Sequence, residues 1–221
     1  MISFNPRPSD SILLVEGSND KHVIKHLAER FDPNLEFAIK DYGGIDGVLA
    51  NIRDHIDEPG RPAVGIVVDA DAVQLQSWRR VCDEIASAER NISPIPPAPD
   101  PQGTIISENP GNGDPRVGIW VMPDNISLGE LEGFIARMIP AGDMIWPLSR
   151  RYIDQIPLAV RPFASTLAQV AQNKILGAQV HAWLATRADP RPMGLAIGAN
   201  DLDTNVPVTQ TFLRWLANLF R

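Results

Sequence analysis

Four carboxylates stand directly after two apolar runs in the first third of the chain. Glu16 and Asp20 follow a run that ends at residue 15, and Asp69 and Asp71 follow one that ends at residue 68. Two like charges about 4 Å apart repel by roughly 4 kcal/mol at an effective dielectric constant near 20, so a cluster of four needs a cation or a raised pKa to relieve it. If the four side chains share one crevice, a divalent metal ion is the simplest partner for them.

The elements that carry these carboxylates predict such a crevice. Apolar runs of this kind are typical of strands buried on both faces of a parallel sheet. Ligands of open α/β sheets lie beyond the carboxyl ends of the strands, where all four residues stand. Asp69 and Asp71 are two apart on an extended segment, so their side chains point the same way. Helix capping alone accounts for Asp20, but it leaves Glu16 unexplained.

Strands alternate with helices over the first 140 residues, and this alternation predicts an α/β fold. The expected architecture is a Rossmann-like, mostly parallel sheet flanked by helices, with right-handed crossovers. From residue 139 onward the pattern is helical. The predicted strands are 11–15, 35–40, 63–68, 104–106 and 117–122, and the predicted helices are 19–30, 48–55, 73–90, 129–138, 152–156, 163–186 and 211–220.

Two units are expected along the chain. Residues 1–140 would form the α/β domain, and residues 141–221 a small helical C-terminal extension packed on it. An irregular insert at about 91–115 interrupts the first unit, because five prolines between 94 and 101 exclude a helix there. A segment of this kind is either a functional flap or a surface loop.

Composition limits the class of protein. The net charge of −7 argues against a large non-specific nucleic-acid surface. The charge is uneven, since residues 1–150 carry 13 basic and 23 acidic residues and residues 151–221 carry 7 and 4. No apolar stretch approaches the roughly 20 residues of a membrane span, and no signal peptide is recognisable. With the single cysteine Cys82, these features favour a cytoplasmic protein with no membrane association.

The two acidic motifs together resemble a known fold family. A strand ending in Glu-Gly and a later strand ending in Asp-x-Asp resemble the Toprim domain of topoisomerases, primases and OLD-type nucleases. The sequence VEGSNDKHVI at residues 15–24 is most similar to the OLD-type branch. Almost the whole chain also resembles small stand-alone bacterial Toprim-related proteins of unknown function, through WVMPDN at 120–125, HAWLA at 181–185 and PMGLAI at 192–197.

This resemblance implies a set of site residues. Mg²⁺ or Mn²⁺ would be bound by Glu16, Asp20, Asp69 and Asp71, and oxygen ligands suit these hard cations. Glu16 would take part in catalysis, as would Lys174, whose charge would steady the transition-state phosphate. The remaining implied ligands, at the positions of the OLD-type second metal, are Asp124 and Glu132.

Several functions stay open at this point. The first is Mg²⁺/Mn²⁺-dependent phosphodiester chemistry on nucleic acid, with a DNA nuclease in DNA processing or defence as the expected case. The second is a non-catalytic Toprim-like module that binds metal or nucleic acid and regulates a partner protein. The third is phosphoryl transfer on a small nucleotide. The sequence contains no Walker A motif, so an ATPase partner would be a separate chain.

Two other residues near this set have ordinary interpretations. His181 is expected to be a packed helical residue, and Glu130 a solvated neighbour of Glu132. Lys174 would, without the resemblance, be interpreted as a surface lysine of a long helix.

Overall fold

One five-stranded sheet lies at the centre of the fold. The computed structural model describes residues 1–70, 74–106, 113–161 and 168–221. The strands are β1 (Ile12–Val15), β2 (Ala38–Asp41), β3 (Ala63–Asp69), β4 (Thr104–Ile106) and β5 (Arg116–Met122). Their order across the sheet is β2-β1-β3-β5-β4, with β4 antiparallel to β5 and the other pairs parallel.

Eight α-helices flank this sheet within the described ranges. Their bounds are α1 (Ser18–Phe31), α2 (Ile45–Asp57), α3 (Gln74–Ala86), α4 (Leu131–Met138), α5 (Trp146–Asp154), α6 (Ala168–Ala185), α7 (Met193–Gly198) and α8 (Pro207–Phe220). A single 3₁₀ turn, Leu158–Val160, follows α5. The predicted α/β class is therefore confirmed, with a mostly parallel, Rossmann-like sheet and a C-terminal helix.

The sheet buries both of its faces because side chains alternate along each strand. One face packs against α1, α4, α6, α7 and α8 through residues such as Leu13, Val67 and Trp120. The opposite face packs against α2 and α3 through residues such as Leu14 and Ile66. This double burial explains why the strands have continuous apolar sequences.

The strand order creates a switch point between β1 and β3. The chain leaves β1 towards β2 on one side and then crosses to β3 on the other side. Val15 therefore lies beside Asp41 of β2 and also beside Val67 of β3. Crevices at such a point, outside the carboxyl ends of the strands, are where open α/β sheets bind ligands.

Helix α8 packs directly on the middle of the sheet. A Cβ atom added to Gly118 would lie 2.4 Å from Leu219 Cδ2, and one added to Gly65 would lie 3.0 Å from the same atom. Trp215 Nε1 donates a hydrogen bond of 3.0 Å to the carbonyl of Thr104, which ties the helix to the edge strand. The C-terminal helix thus closes one face of the core.

The structure differs from the sequence-based prediction in several places. Helix α7 lies in a stretch for which no helix was predicted, and α5 begins six residues before the predicted helix 152–156. Helix α3 ends at Ala86 rather than at residue 90. Residues 92–98 have no regular secondary structure, in line with their prolines. Part of the predicted helix 163–186 lies outside the described residues.

Within the described ranges, none of the helices has both the length and the apolar character needed to cross a bilayer.

Candidate metal centre

Glu16 and Asp69 meet at the switch point between β1 and β3. The backbone N–H of Asp69 donates a hydrogen bond of 2.8 Å to Glu16 Oε1. The backbone carbonyl of Glu16 accepts a second hydrogen bond, of 2.8 Å, from the N–H of Gly44. Glu16 is therefore attached to the segment that follows β2 and to the last residue of β3, and two of the four predicted carboxylates lie together.

Asp20 lies in the first turn of α1 and is almost enclosed. Its exposed fraction is 8%, and Oδ2 accepts a hydrogen bond of 3.1 Å from the N–H of Gly17. Burial raises the pKa of Asp20 to about 7, and the negative charges of Glu16 and Glu132 act in the same direction. Three carboxylates from separate elements thus repel one another at this point.

Asp20, Asp69 and Glu132 line one cleft of about 300 Å³, and Glu16 is not among the described residues of its lining. The cleft lies between the N-terminus of α1 and the start of α4. Backbone N–H groups at a helix N-terminus favour negative charge, so an anion such as phosphate could lie beside the carboxylates if a cation neutralised them. The lining residues are Gly17, Ser18, Asn19, Asp20, Asp69, Glu130, Leu131 and Glu132.

Glu132 enters the cleft from α4 and is paired with a residue of α6. His181 Nε2 lies 3.7 Å from Glu132 Oε1, which is an ion-pair distance rather than a hydrogen bond. Burial opposes ionisation of Glu132, but His181 and the nearby Lys174 outweigh burial and lower the pKa of Glu132. In return, the Glu132 carboxylate raises the pKa of His181.

Lys174 is paired with Glu130, which lines the cleft. Its Nζ is 3.3 Å from Glu130 Oε2, and the Glu130 side chain is only 16% exposed. Glu130 is therefore a member of the cleft rather than a solvated neighbour of Glu132. The Lys174 ammonium group, which was expected to act on phosphate, is therefore paired with the Glu130 carboxylate.

Asp124 is not among the described residues that line the cleft. Its Oδ1 accepts hydrogen bonds from the N–H groups of Ile126 (3.1 Å) and Ser127 (2.6 Å), and its Oδ2 pairs with Arg137. Burial raises the pKa of Asp124, but the Ser127 N–H and the Arg137 guanidinium outweigh it and lower the pKa overall. In this conformation Asp124 fixes the turn that follows β5, and its place with Glu132 in a second metal site stays a prediction.

Asp71 lies outside the described residues. Ala70 is the last described residue before it. The Ala70 N–H donates hydrogen bonds to the carbonyls of Met122 (3.2 Å) and Gly129 (3.0 Å). These bonds attach the end of β3 to the loop that leads to Glu130. The place of Asp71 beside Asp69 remains a prediction from the sequence.

The comparison with known protein families covers nearly the whole chain. Residues 10–221 match the family described as a protein of unknown function, DUF3226. The chain belongs to this family. No curated protein and no solved structure matches it. The description of this family names no activity, so the resemblance to Toprim domains stays a prediction.

The chemistry of this DUF3226 cleft suits a hard divalent cation. Its donors are carboxylate oxygens, which are the ligands that Mg²⁺ and Mn²⁺ prefer. The raised pKa of Asp20 marks an excess of negative charge that a cation would relieve. In the parts of the chain that are described, however, no three His, Cys, Asp or Glu side chains are already grouped as a metal site. Binding would require the carboxylates to draw together.

Two functional candidates were missed by sequence reasoning, namely Glu130 and His181. His181 was expected to be packed, but its side chain is 55% exposed and faces Glu132. A signal was present, because His181 lies seven residues after Lys174 and residues seven apart share one face of a helix. Glu130 gave no such signal, because its inward direction depends on how the loop after β5 is bound to β3.

Proposed function

We propose that the chain is a Mg²⁺- or Mn²⁺-dependent enzyme of phosphodiester chemistry on nucleic acid, and specifically a DNA nuclease in DNA processing or defence. The observation that supports it is the enclosed carboxylate of Asp20, whose pKa is raised to about 7 beside Glu16 and Glu132. Charge repulsion of this kind at a sheet switch point is typical of a functional site rather than of a stabilising core.

The carboxylates would hold the cation. Glu16, Asp20, Asp69 and Glu132 are the described candidates, with Asp71 as the predicted fifth ligand. When bound, the metal ion would supply positive charge to the oxygens of a phosphodiester. Because the raised pKa of Asp20 favours its protonated form up to near neutral pH, cation binding would also release protons to the solvent.

Helix α6 would supply the cation that contacts substrate. Lys174 Nζ lies 3.3 Å from Oε2 of Glu130, a residue of the cleft lining. A substrate phosphate would compete with Glu130 for this ammonium group, and a positive charge at that point stabilises the negative charge that develops on phosphate oxygens. His181 would hold Glu132 in its orientation, as residues that contact metal ligands commonly do.

The direct test is nicking of supercoiled plasmid DNA by the purified chain in the presence of Mn²⁺. We expect nicking by the unmodified protein and none by Asp69→Ala or Asp20→Asn. Glu36→Gln is the matched control, because Glu36 is exposed, pairs with the N-terminal amine and lies outside the cleft. Identical products from all four proteins would refute the catalytic proposal.

The second candidate is a non-catalytic module that binds metal or nucleic acid and regulates a partner protein. Two observations favour it, namely the engagement of Asp124 by Arg137 and the absence of a preformed three-ligand group among the described residues. It predicts calorimetric Mn²⁺ binding with no DNA product. Deleting residues 93–98, which have no regular secondary structure and precede β4, would then abolish capture of a partner without unfolding the protein. Calorimetry with mononucleotides against oligonucleotides separates both from nucleotide phosphoryl transfer.

We infer a cytoplasmic location and, for the nuclease, a separate ATPase chain as partner. The single cysteine supports the first, since disulfides are rare in the cytoplasm. The lack of a Walker A motif supports the second.

A further inference from the structure

The loop that follows β5 carries two exposed apolar side chains beside the cleft. This loop, residues 123–129, connects β5 to the segment before α4. Ile126 is 63% exposed and Leu128 is 41% exposed, while Ser127 between them is partly buried. The next residue along the chain is Glu130, which lines the cleft. Because extended chain spans at most about 3.6 Å per residue, the Cα atoms of both apolar residues lie within about 14 Å of that of Glu130.

Both ends of this loop are hydrogen-bonded to the sheet. At one end, the N–H of Asn125 donates a bond of 2.8 Å to the carbonyl of Val121, and its Oδ1 accepts one of 2.7 Å from the Val121 N–H. At the other end, the carbonyl of Gly129 accepts a bond of 3.0 Å from Ala70, which directly follows Asp69 of the cleft lining. Hydrogen bonds therefore fix the loop at the same edge of the sheet as the cleft.

The tip of the loop is held in one conformation before any ligand arrives. Asp124 accepts hydrogen bonds from the N–H groups of Ile126 and Ser127, and the Ser127 hydroxyl donates one of 3.0 Å to Asp124 Oδ2. Arg137 of α4 pairs with Asp124, and its Nη2 donates a bond of 3.2 Å to the Ser127 hydroxyl. A tip that is already ordered loses little conformational freedom when it meets a ligand.

Two cations accompany the apolar tip. Arg137 is bound to the loop and its side chain is 38% exposed, and Lys174 is paired with Glu130, the residue that follows the loop. Proteins that kink DNA insert Ile, Leu and similar apolar side chains between base steps, while their basic residues contact the adjacent phosphates. Stacked bases between phosphates offer the apolar surface and the negative charges that this combination of side chains fits.

We propose that Ile126 and Leu128 form a wedge that enters a base step of duplex DNA bound at the cleft. The wedge rests on the proposed function, since the cleft must bind DNA for the loop to reach it. DNA rises about 3.4 Å per nucleotide, so a wedge within about 14 Å of Glu130 unstacks a step at most about four nucleotides from that residue. The favoured substrate is then a duplex with an easily unstacked step, such as TA.

The test measures base unstacking directly, with the full chain. The probe is a short duplex of alternating adenine and thymine in which 2-aminopurine replaces every adenine, so that its fluorescence reports unstacking at any register. Ca²⁺ takes the place of Mn²⁺ to keep the duplex intact, and the anisotropy of a terminal dye measures the bound fraction. We expect the 2-aminopurine fluorescence to rise several-fold as the duplex becomes saturated with the unmodified protein.

Variants assign the unstacking to the wedge. The double variant Ile126→Ser with Leu128→Ser should abolish the fluorescence rise and weaken binding about tenfold, because two apolar side chains lose their burial. The conservative pair Ile126→Val with Leu128→Met should retain the rise, as should Leu195→Ser, a change at an exposed leucine of α7.

Three results would overturn the wedge: no duplex binding, a bound duplex without a fluorescence rise, or an equal rise with the double serine variant. The last two would leave the loop tip free for a protein contact. The metal centre fails separately, because unstacking without nicking in Mn²⁺ refutes only the nuclease. Nicking without unstacking refutes only the wedge.

Discussion

Asp20 lies at a position that lowers the stability of the fold, which indicates a functional role. Its carboxylate gains a hydrogen bond from Gly17, but burial and two neighbouring carboxylates disfavour its charge. A residue selected only to cap α1 would sit at the surface, where it could stay ionised at no cost. The enclosed position is therefore a cost to stability that ligand binding can offset.

The pH dependence of stability should reveal this cost. The folded pKa of Asp20 is about 7 and the unfolded value is about 3.8. Between these values the folded chain holds a proton that the unfolded chain lacks, so the free energy of unfolding should fall as pH rises from about 4 to about 7. Urea denaturation at pH 7.5 should show Asp20→Asn to be more stable than the unmodified protein by roughly 2–4 kcal/mol. At pH 4 the difference should be small, and parallel curves would contradict the raised pKa.

Asp124 provides the contrasting case of an acid with a structural role. Its oxygens accept two backbone N–H groups and pair with Arg137. Asp124→Ala should lower the free energy of unfolding by about 1–3 kcal/mol while leaving Mn²⁺ affinity unchanged in calorimetry. A large loss of Mn²⁺ affinity with normal stability would restore Asp124 to the ligand set implied by the OLD-type resemblance.

Most strands and helices could be predicted because their signals are local. Apolar runs gave β1, β3 and β5 within one residue at each end, and helical spacing gave α1 and α8. Helix α7 could not be predicted because Pro192 and Gly194 suggested a break. Pro192 is instead its N-cap, and Gly194 permits contact with α1, where an added Cβ would lie 2.9 Å from His22 Cβ.

The packing of α7 on α1 can be tested at Gly194. Gly194→Ala should lower the free energy of unfolding by about 1–3 kcal/mol, because the new methyl group meets both the side chain and the backbone of His22. Gly142→Ala is the matched control, since an added Cβ there has no atom within 4 Å. Thermal denaturation of both variants measures the difference, and equal melting temperatures would argue against this close helix contact.

The candidate site was predictable only in part, because some of its contacts depend on helix packing rather than on local sequence. Glu16 and Asp69 follow strands, so the general rule for parallel sheets placed them together. Lys174 and His181 reach the residues of the cleft because α6 packs beside α4. The two helices are close, since a Cβ added to Gly177 of α6 would lie 3.6 Å from Glu132 Cγ. No local pattern encodes that packing.

At the scale of the whole molecule, the N-terminal and C-terminal parts share one hydrophobic core. Buried residues of α6, α7 and α8 belong to the same cluster as those of β1, β3 and α1. Small residues at the contact, Gly65 and Gly118, let Leu219 reach the sheet. The C-terminal helices are therefore part of what stabilises the sheet and its cleft.

Substitution of Leu219 tests whether the stability of the sheet depends on α8. It is fully buried over the sheet, so Leu219→Ala should lower the free energy of unfolding by about 2–5 kcal/mol. Leu195→Ala removes the same atoms from a side chain that is 53% exposed, and should change stability by less than about 0.5 kcal/mol. Urea titrations of both variants provide the comparison, and equal midpoints would show that α8 contributes little.

The bond between Asp69 N–H and Glu16 Oε1 has a mechanical consequence. If a cation drew Oε1 away, it would release the amide at the tip of β3, next to Ala70, which is tied to the carbonyls of Met122 and Gly129. Cation binding in the cleft would then weaken the hydrogen bonding at the end of β3 and increase the mobility of the loop that carries Glu130. Amide hydrogen exchange at Asp69 and Ala70 would quicken as the ion enters, even while the molecule as a whole becomes harder to unfold.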